Sequence, residues 1–439
     1  MVTLEQDRLV FRFPEVHEQA VLAVECQRTL RIPDDGRHYP LPPRLGRFPL
    51  SHVDDYAERL PASWLAHGGV FLPMYQAEAL WLCFHSRGQY PFAVKVAAGK
   101  VNAVTGERWS NQLSDSPQDY LVAPPQPWLD GFCVERGVVR QFVAMPLGEG
   151  YTAEEQLTGV AEHGGLQVLV YPMNPTEAKR HRALARLRER VAEVDQQLAG
   201  VTRRLRDLQD TAEHLYAEQR RLFSELASLR EELRQHRRHR RPGVRGTRWD
   251  QMLEDSVQQL EMWDAESLRA RDATSRDTQA GLRAAAEALG TCAEPMLQPC
   301  SRLDLGVGPG GRMRQDVYQD PYGLKVWETE VWSRCFVHLL NSLQYLAVTG
   351  SAPPDEPPSA QAYTEAGLPW FEYYDADQKA LEGAAKLAGL ESVAALRKQK
   401  GQPALPGEQP IAPANIRRLC PEGRPVREPA EEAGMGTEG

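Results

Sequence analysis

The sequence lacks the cysteine pattern of a disulfide framework or a zinc finger. Its seven cysteines are odd in number and scattered along 439 residues, and no two of them form a Cys-x-x-Cys pair. This distribution favours a reducing compartment. The N-terminus, MVTLEQDRLVFRF, also lacks the basic start and the apolar run of a signal peptide. We therefore expect a soluble, cytoplasmic protein.

Long hydrophobic runs are missing as well. The most apolar stretch, around residues 336–343, is broken by polar residues well short of the length that crosses a bilayer, so we predict no membrane span. A formal net charge of -9 makes the whole molecule a poor match for nucleic acid or an acidic membrane. Nucleophile-elbow, Walker A and His-Glu-x-x-His motifs are absent, and we expect no cofactor and no metal.

Residues 1–175 contain the pattern of a β domain. Short runs rich in Val, Phe, Leu and Tyr alternate with turns that contain Gly, Pro or Asp. Gly99 and Gly137 each separate two apolar runs, where the positive φ of a tight hairpin turn favours glycine. The sequence predicts an α+β protein whose N-terminal domain is mainly antiparallel, either a sandwich or a partly open barrel.

Residues 176–248 have a different character, since before Pro242 they contain no proline and Gly200 is the only glycine. Residues at strict 3-4-3-4 spacing are Leu184, Leu187, Val191, Val194, Leu198, Val201, Leu205, Leu208, Ala212, Leu215, Gln219, Leu222, Leu226, Leu229 and Leu233. This spacing predicts a long coiled-coil helix that pairs with a second copy or with another protein. Gln219 on the seam is a candidate for setting register or partner choice.

The predicted rod ends in an arginine-rich tip. Its candidates for contact with nucleic acid or another anionic partner are Arg237, Arg238, Arg240 and Arg241. The alternative is a solvated helix end whose cations complement the helix dipole. Residues 249–289 are predicted to form a second helical arm with a poorer apolar seam.

The remaining chain is predicted to form an α-rich domain over residues 290–400, packed on the β domain, and a disordered tail over residues 401–439. Gly306, Gly308 and Gly311 match G-x-G-x-x-G, but the strand and helix of a dinucleotide fold are not apparent around them. We interpret this stretch as a glycine-rich loop. The tail is rich in Pro, Gly and Glu and has few large apolar residues.

A candidate anion site lies in MPLGEGYTAEEQ, residues 145–156. Thr152 and Glu155 have the spacing of a capping box, and two glycines precede them in the turn. A helix start of this kind either holds an anion on its backbone amides or is simply a well-capped turn. The residues that would form the anion site are Gly148, Gly150, Tyr151 and Thr152, with Arg312 or Arg314 supplied by the α-rich region.

Two short segments contain candidate acid-base residues. They are Asp34, Asp35 and His38 in IPDDGRHYP, and His52, Asp54 and Asp55 in PLSHVDDY. Carboxylates and a histidine close together can act as general acid or base. Asp-Asp-Gly is also a turn signature, and His-x-Asp-Asp is an ordinary helix start.

Several stretches resemble an uncharacterised family of bacterial and fungal proteins, some of them labelled integral membrane proteins. The stretches are CQRTLRIPDDG, GGVFLPMYQAEALWL, FAVKVAAGKVNAVTGE, PQPWLDGFCVERGVVRQFVAMPLGEGYTAEEQLTG, GGRMRQDVYQDPYGL and YTEAGLPWFEYYDAD. The resemblance covers the β region and the α-rich region and omits the coiled coil. It implies no activity and no catalytic residue.

Three functions are compatible with these patterns. The first is a non-enzymatic interaction or scaffold protein that uses the coiled-coil rod. The second is an enzyme or ligand-binding protein with an anion or sugar pocket between the β domain and the α-rich region. The third is nucleic-acid binding through the arginine-rich tip. No motif in the sequence decides whether the chain is an enzyme.

Overall fold

The computed structural model describes residues 1–183, 186, 190, 191, 193–204 and 206, the single residues 214, 217, 220, 221, 224 and 228, and then residues 303–373, 378–405 and 407–419. The chain forms two compact units. The first unit consists of Met1–Arg186 together with Leu297–Gly439, and the second consists of Leu187–Met296.

Strands dominate the first unit. Within the described residues they are β1 (Val2–Leu4), β2 (Leu9–Arg12), β3 (Val21–Thr29), β4 (His38–Tyr39), β5 (Arg44–Arg47), β6 (Ser51–His52), β7 (Val70–Met74), β8 (Ala79–Ser86), β9 (Phe92–Ala98), β10 (Val101–Asn102), β11 (Leu121–Ala123), β12 (Trp128–Leu129), β13 (Gly131–Glu135), β14 (Val138–Pro146), β15 (Leu166–Pro172), β16 (Asp304–Arg314), β17 (Ser333–Asn341), β18 (Trp370–Tyr373) and β19 (Ile416–Leu419).

Strands β1 to β17 belong to one hydrogen-bonded sheet. Its pairs run antiparallel except that β4 lies parallel to β16 and β7 lies parallel to β17. This confirms the prediction of a mainly antiparallel N-terminal region. Strands β9, β14 and β15 are buried along their whole length, so both faces of the sheet are covered there.

Both predicted hairpin turns are confirmed. In the turn between β9 and β10, Ala98 lies opposite Val101, and Gly99 has φ of 58°. In the turn between β13 and β14, Glu135 lies opposite Val138, and Gly137 has φ of 74°. A positive φ is the conformation for which glycine is favoured, so these two turns follow from local sequence alone.

Residues 304–314 differ from the predicted glycine-rich loop, because they form strand β16. A Cβ on Gly306 would lie 2.6 Å from Thr152 Cγ2, and one on Gly308 would lie 2.8 Å from the Tyr151 carbonyl oxygen. Glycine is required here because other parts of the chain pass very close to the strand. Pairing of β16 with β14 and β17 outweighs the low intrinsic β propensity of glycine.

The predicted α-rich region, residues 290–400, also contains strand β17. Its run of apolar residues is helix-like in sequence, but β17 pairs with β15, β16 and β7. A short apolar run fits either a buried strand or a helix, and long-range pairing decides between them. The α-helices that the structure describes in this region follow β17 and are Ser342–Thr349, Ala360–Glu365, Ala385–Ala388 and Val393–Gln399.

Helices in the N-terminal region are few and short. The α-helices there are Ala62–His67 and Ala153–Thr158. The 3-10 helices described in the first unit are Asp54–Tyr56, Arg87–Gln89 and Leu324–Val326. They connect strands and leave the sheet as the main source of the hydrophobic core, to which β2, β3, β8, β9, β14 and β15 all contribute.

The beginning of the predicted disordered tail, residues 401–439, also differs from expectation. Strand β19 pairs parallel with β18 and forms a second, two-stranded sheet. Leu405 and Ile411, just before it, are buried. The composition of the tail predicts disorder, because composition does not register a few apolar anchors or an exposed strand. Residues 420–439 lie outside the described part of the chain.

The described residues of the second unit are helical from 190 through 228. Coiled-coil pairing of residues 176–248 remains a prediction. The second arm at 249–289 lies outside the described residues, and so does the arginine-rich tip.

Two further observations concern the state of the cysteines and the apolarity of the helices. Cys26, Cys83, Cys133 and Cys335, the cysteines that the structure describes, are all free and buried. Burial raises the pKa of each thiol to about 12, so none is an activated thiolate at neutral pH. No helix within the described ranges combines the length and apolarity needed to cross a membrane.

Candidate functional site

The segment Met145–Gln156 leads from β14 into the helix Ala153–Thr158. Thr152 Oγ1 accepts a hydrogen bond from the Glu155 backbone N–H at 3.2 Å, and the Glu155 carboxylate accepts one from Thr152 N at 3.1 Å. This is the predicted capping box. Gly150 N also donates to Glu155 Oε1 at 2.7 Å. The amides that would cradle an anion therefore already bind the chain's own carboxylate.

The two arginines expected at this loop are engaged elsewhere. Arg312 lies 3.2 Å from Glu135, and Arg314 lies 3.1 Å from Glu372. Both belong to the C-terminal end of β16, whereas the part of β16 that contacts Thr152 is Gly306, near its start. The structure thus does not bring Arg312 or Arg314 to the glycines of the loop.

The loop does have a cation, which the sequence reading missed. Lys400 Nζ lies 4.0 Å above the Tyr151 ring and donates a hydrogen bond to the Glu149 carbonyl oxygen. The Tyr151 side chain is buried, and its hydroxyl donates to Gln402 Oε1 at 2.6 Å. Because Lys400 follows the loop by 251 residues, no local pattern could have placed it there. Its contacts anchor the segment after helix Val393–Gln399 on the turn.

Asp34 is the one acid-base candidate that lies among buried charges. Its Oδ1 is 3.7 Å from the Arg140 guanidinium, and its Oδ2 makes no hydrogen bond. Burial raises the pKa of Asp34, while Ser392 and Arg140 act in the opposite direction. Arg312 neighbours Arg140 across the β14–β16 pair. The arrangement is an ion pair where β4, β14 and β16 meet.

The other residues of IPDDGRHYP form a turn, which favours the structural alternative. Asp35 Oδ1 accepts a hydrogen bond from the Arg37 backbone N–H at 3.0 Å, and Asp35 Oδ2 accepts one from the Tyr39 hydroxyl at 2.7 Å. His38 is exposed and lies opposite Arg312 in the β4–β16 pair. The structure therefore brings His38, Asp34 and Arg312 to one part of the sheet.

The second acid-base segment is separate from the first. His52 ends β6, and Asp54 and Asp55 begin the 3-10 helix Asp54–Tyr56. All three side chains are exposed, while Val53 between them is buried. Among the residues that the structure describes, no hydrogen bond or ion pair joins them to Asp34, Asp35 or His38. The helix-start interpretation accounts for this segment.

A group that sequence reading missed brings together three side chains of metal-ligand type. Glu25, Cys83 and His85 have donor atoms within 4.8 Å of one another and are the group of this kind found in the described ranges. Glu25 already lies 2.6 Å from Arg8 and 3.2 Å from Arg47. Because arginines surround the carboxylate and Cys83 is a buried thiol, the donor set fits a metal cation poorly.

The second unit has an exposed apolar stripe on its helix. Val191, Val194, Leu198 and Val201 are 60%, 60%, 63% and 51% exposed, and all four are helical. Their 3-4-3 spacing places them along one side of a helix. We call these four residues the Val191 stripe. They are part of the seam predicted from the sequence.

A comparison of the chain with protein-family models, with curated proteins and with solved structures finds no match. No relative therefore assigns a ligand, a partner or a reaction to any residue described above. The resemblance noted in the sequence rests on its quoted stretches and brings no activity with it.

Proposed function

We propose that the protein is a self-associating interaction protein, two copies of which pair through the Val191 stripe. The observation that carries the proposal is the exposure of four apolar side chains at heptad spacing on one helix. Burying a valine or leucine of this kind contributes about 1–2 kcal/mol per side chain. A second copy presents the same stripe and can bury it along the whole length.

The charges beside the stripe support a second copy over an unrelated partner. In heptad terms Val191 occupies position a, which puts Arg190 at g and Asp195 at e. In a parallel pair of identical helices, position g of one helix faces position e of the other, five residues further along. Arg190 of each copy then faces Asp195 of the other, so the interface is self-complementary in charge as well as in shape.

Light scattering coupled to size-exclusion chromatography on the full chain tests this proposal. The wild-type protein should have about twice the chain mass of 49.3 kDa at tens of micromolar concentration. Val194→Glu places two carboxylates in the apolar seam of the pair, and we expect it to shift the mass toward that of one chain. Gln196→Glu is the matched control, because it adds the same charge two residues away, off the stripe.

Each of three results would contradict self-association through the Val191 stripe. A wild-type mass of one chain across the concentration range contradicts self-association. A dimer that survives Val194→Glu contradicts the stripe as the interface. Equal dissociation of the Val194→Glu and Gln196→Glu variants assigns the effect to net charge and likewise contradicts it.

A further inference from the structure

A cavity of 300 Å³ in the first unit has an unusually cationic lining. It is lined by Lys100, Arg108 and Arg334, by the rings of His67 and His163, and by Phe336, among others. None of its lining residues within the described chain is an aspartate or glutamate. Cavities of 680 and 510 Å³ elsewhere in the described residues both have glutamates in their walls. The cationic cavity therefore favours a negatively charged ligand, whereas carboxylates contribute to the walls of the two larger cavities.

The three cations have capacity left for a ligand. The Arg108 side chain is exposed and makes no hydrogen bond or ion pair with any residue in the described ranges. Arg334 donates to the Asn111 amide oxygen at 3.3 Å and lies 4.9 Å above the Phe336 ring, but it contacts no carboxylate. Lys100 lies 2.6 Å from Glu162, whose side chain is 55% exposed. An ion pair this exposed is weak and can be replaced by a better anion.

A buried carboxylate, that of Glu154, lies beside the cavity and takes its hydrogen bonds from the backbone. Glu154 accepts hydrogen bonds from the backbone amides of Lys100, His163 and Gly164 at 3.1–3.2 Å. It also lies 3.4 Å from His163 Nδ1, on the side of that ring facing the capped helix. Burial lowers the pKa of His163, so the ring is neutral at pH 7. The positive charge of the cavity comes from Lys100 and the two arginines.

A buried hydrogen-bond acceptor points to a second feature of the ligand. Gln167 is 2% exposed, lines the cavity, and has no hydrogen-bond partner for its Oε1 atom. Its Nε2 donates to the Gly99 carbonyl oxygen, which fixes the orientation of the amide. An orphaned buried acceptor is costly, because it gives up its hydrogen bonds to water and receives none in return. A ligand with a hydroxyl or another donor beside its anionic group would satisfy it.

Strand pairing holds this arrangement in place. Gln167 on β15 lies directly opposite Phe336 on β17, and Arg334 lies two residues further along β17. His67 contributes from the end of helix Ala62–His67, with its ring centroid 4.8 Å from Phe336 and 4.7 Å from His163. The three rings are tilted against one another and restrict each other's movement by packing.

From this geometry we infer that the cavity binds a small phosphate ester that also carries a hydroxyl group, such as a polyol phosphate. Arginine guanidinium groups match the oxygens of a phosphate in a bidentate manner, and Lys100 adds a third charge. Gln167 accepts the hydroxyl of the ester. A volume of 300 Å³ is at the small end for ligand sites and suits a molecule of this class. The inference does not depend on self-association.

Isothermal titration calorimetry on the full chain tests the site, with glycerol 3-phosphate, inorganic phosphate and glycerol as probes. We expect glycerol 3-phosphate to bind more tightly than inorganic phosphate and glycerol not to bind. Binding should weaken as salt concentration rises. Absence of binding by glycerol 3-phosphate at millimolar concentration overturns the inference. Equal affinity for glycerol 3-phosphate and inorganic phosphate overturns it too, because Gln167 would then have no role.

Substitutions assign the binding to this cavity. Arg108→Gln and Arg334→Gln, both at exposed positions, should each weaken glycerol 3-phosphate binding about tenfold or more, since each loses its charge-assisted hydrogen bonds to the phosphate. Arg87→Gln is the matched control, as Arg87 is exposed and does not line the cavity. Wild-type affinity in the Arg108→Gln variant, or equal losses in Arg87→Gln, contradicts the site.

Glu162→Gln provides a test in which binding improves. Removing this carboxylate releases Lys100, so glycerol 3-phosphate should bind about two- to fivefold more tightly. A purely structural role for the Lys100–Glu162 pair predicts no gain, and a weaker or unchanged affinity overturns the assignment of Lys100 to the ligand.

Discussion

Among single residues, His338 has its protonation state fixed by burial. Its Nε2 donates a hydrogen bond to the Gly68 carbonyl oxygen at 3.0 Å, and its ring stacks on Trp64 at 4.5 Å. Burial lowers the pKa of His338 to about 4, with smaller contributions in the same direction from His67 and His163, while the hydrogen bond to Gly68 acts in the opposite direction. The folded protein therefore keeps this ring neutral at pH values at which an unfolded chain protonates it.

This pKa shift predicts how stability changes with pH. The unfolded chain binds the proton near pH 6.5, but the folded chain binds it only near pH 4. His338 therefore costs no stability above pH 6.5, and stability falls as pH drops from there toward 4. Between pH 7 and 5 the loss should be about 2 kcal/mol. Urea unfolding of the wild type and His338→Gln at both pH values measures it, and equal losses contradict the prediction.

Lys95, unlike His338, is buried next to an oppositely charged side chain. Its ammonium group lies 2.7 Å from Asp119 Oδ2, donates to the Gln112 carbonyl oxygen and lies 5.5 Å from the Trp109 ring. The Lys95 side chain is 1% exposed, whereas that of Asp119 is 15% exposed. The two partners are therefore unequal, because only Asp119 retains contact with water.

Because Lys95 is more deeply buried than Asp119, replacing each residue should reduce the free energy of unfolding by a different amount. Asp119→Asn leaves a buried ammonium without its counter-charge and should cost about 3–5 kcal/mol of unfolding free energy. Lys95→Met removes the buried charge and keeps the apolar stem, so it should cost clearly less. Urea unfolding at pH 7 compares the variants. A larger loss in Lys95→Met than in Asp119→Asn would show that the lysine is not the costly member.

At the scale of elements, β16 and the helix of the second unit contain glycine for opposite reasons. A Cβ on Gly311 in β16 would lie 2.4 Å from the Pro33 carbonyl oxygen, while one on Gly200 in the helix meets nothing within 4 Å. Gly311 is required by close packing of the backbone. Gly200 has open space around it, and there glycine only lowers helix propensity.

The same substitution should therefore have opposite effects at the two sites. Gly311→Ala forces β16 away from Pro33 and should destabilise the first unit by about 1–3 kcal/mol, or more if the strand cannot shift. Gly200→Ala should stabilise the helix by about 0.5–1 kcal/mol. Thermal unfolding followed by circular dichroism at the helix band and at the strand band separates the two effects. A stabilising Gly311→Ala would contradict the packing account.

Some turns could be predicted from the sequence, whereas two strands could not. The turns at Gly99 and Gly137 were predictable because each depends on a local φ preference. Strand β16, by contrast, is rich in glycine, and β17 is an apolar run that fits a helix equally well. Both are strands because they pair with β14, β15 and β7, partners that lie far away along the chain. Local propensity carries no information about such partners.

The candidate site was harder to predict for the same reason. The capping box of Thr152 and Glu155 spans four residues and was predicted correctly. The cationic cavity takes its lining from the turn after β9, from β15, from β17 and from the helix Ala62–His67. No spacing in the sequence links Lys100 to Arg334. Only the β15–β17 register places Gln167 and Arg334 in the same wall.

On the scale of the whole molecule, the charges beside the Val191 stripe predict the orientation of the paired copies. Arg190→Glu alone places a glutamate opposite Asp195, and Asp195→Arg alone places an arginine opposite Arg190. Each should weaken the dimer about two- to fivefold, because exposed pairs contribute up to about 1 kcal/mol. The double variant Arg190→Glu with Asp195→Arg should restore wild-type affinity.

Sedimentation equilibrium at low salt measures these dissociation constants. Rescue by the double variant is specific to a parallel pair in the proposed register, since no other arrangement brings these two positions together twice. If the two single losses simply add in the double variant, the register is wrong even where the dimer itself is real.

The parallel pairing of β7 with β17 has a consequence for synthesis. Every residue of β7 is buried, and Val70 to Met74 lie opposite Val337 to Asn341. A chain made from its N-terminus exposes this apolar edge, VFLPM, while the following 260 or so residues are still being added. Until β17 leaves the ribosome, β7 has only the two-residue strand β6 beside it. The sheet is therefore completed late, and the edges of β7, β14 and β15 that pair with β16 or β17 stay open to association between nascent chains until those strands are made.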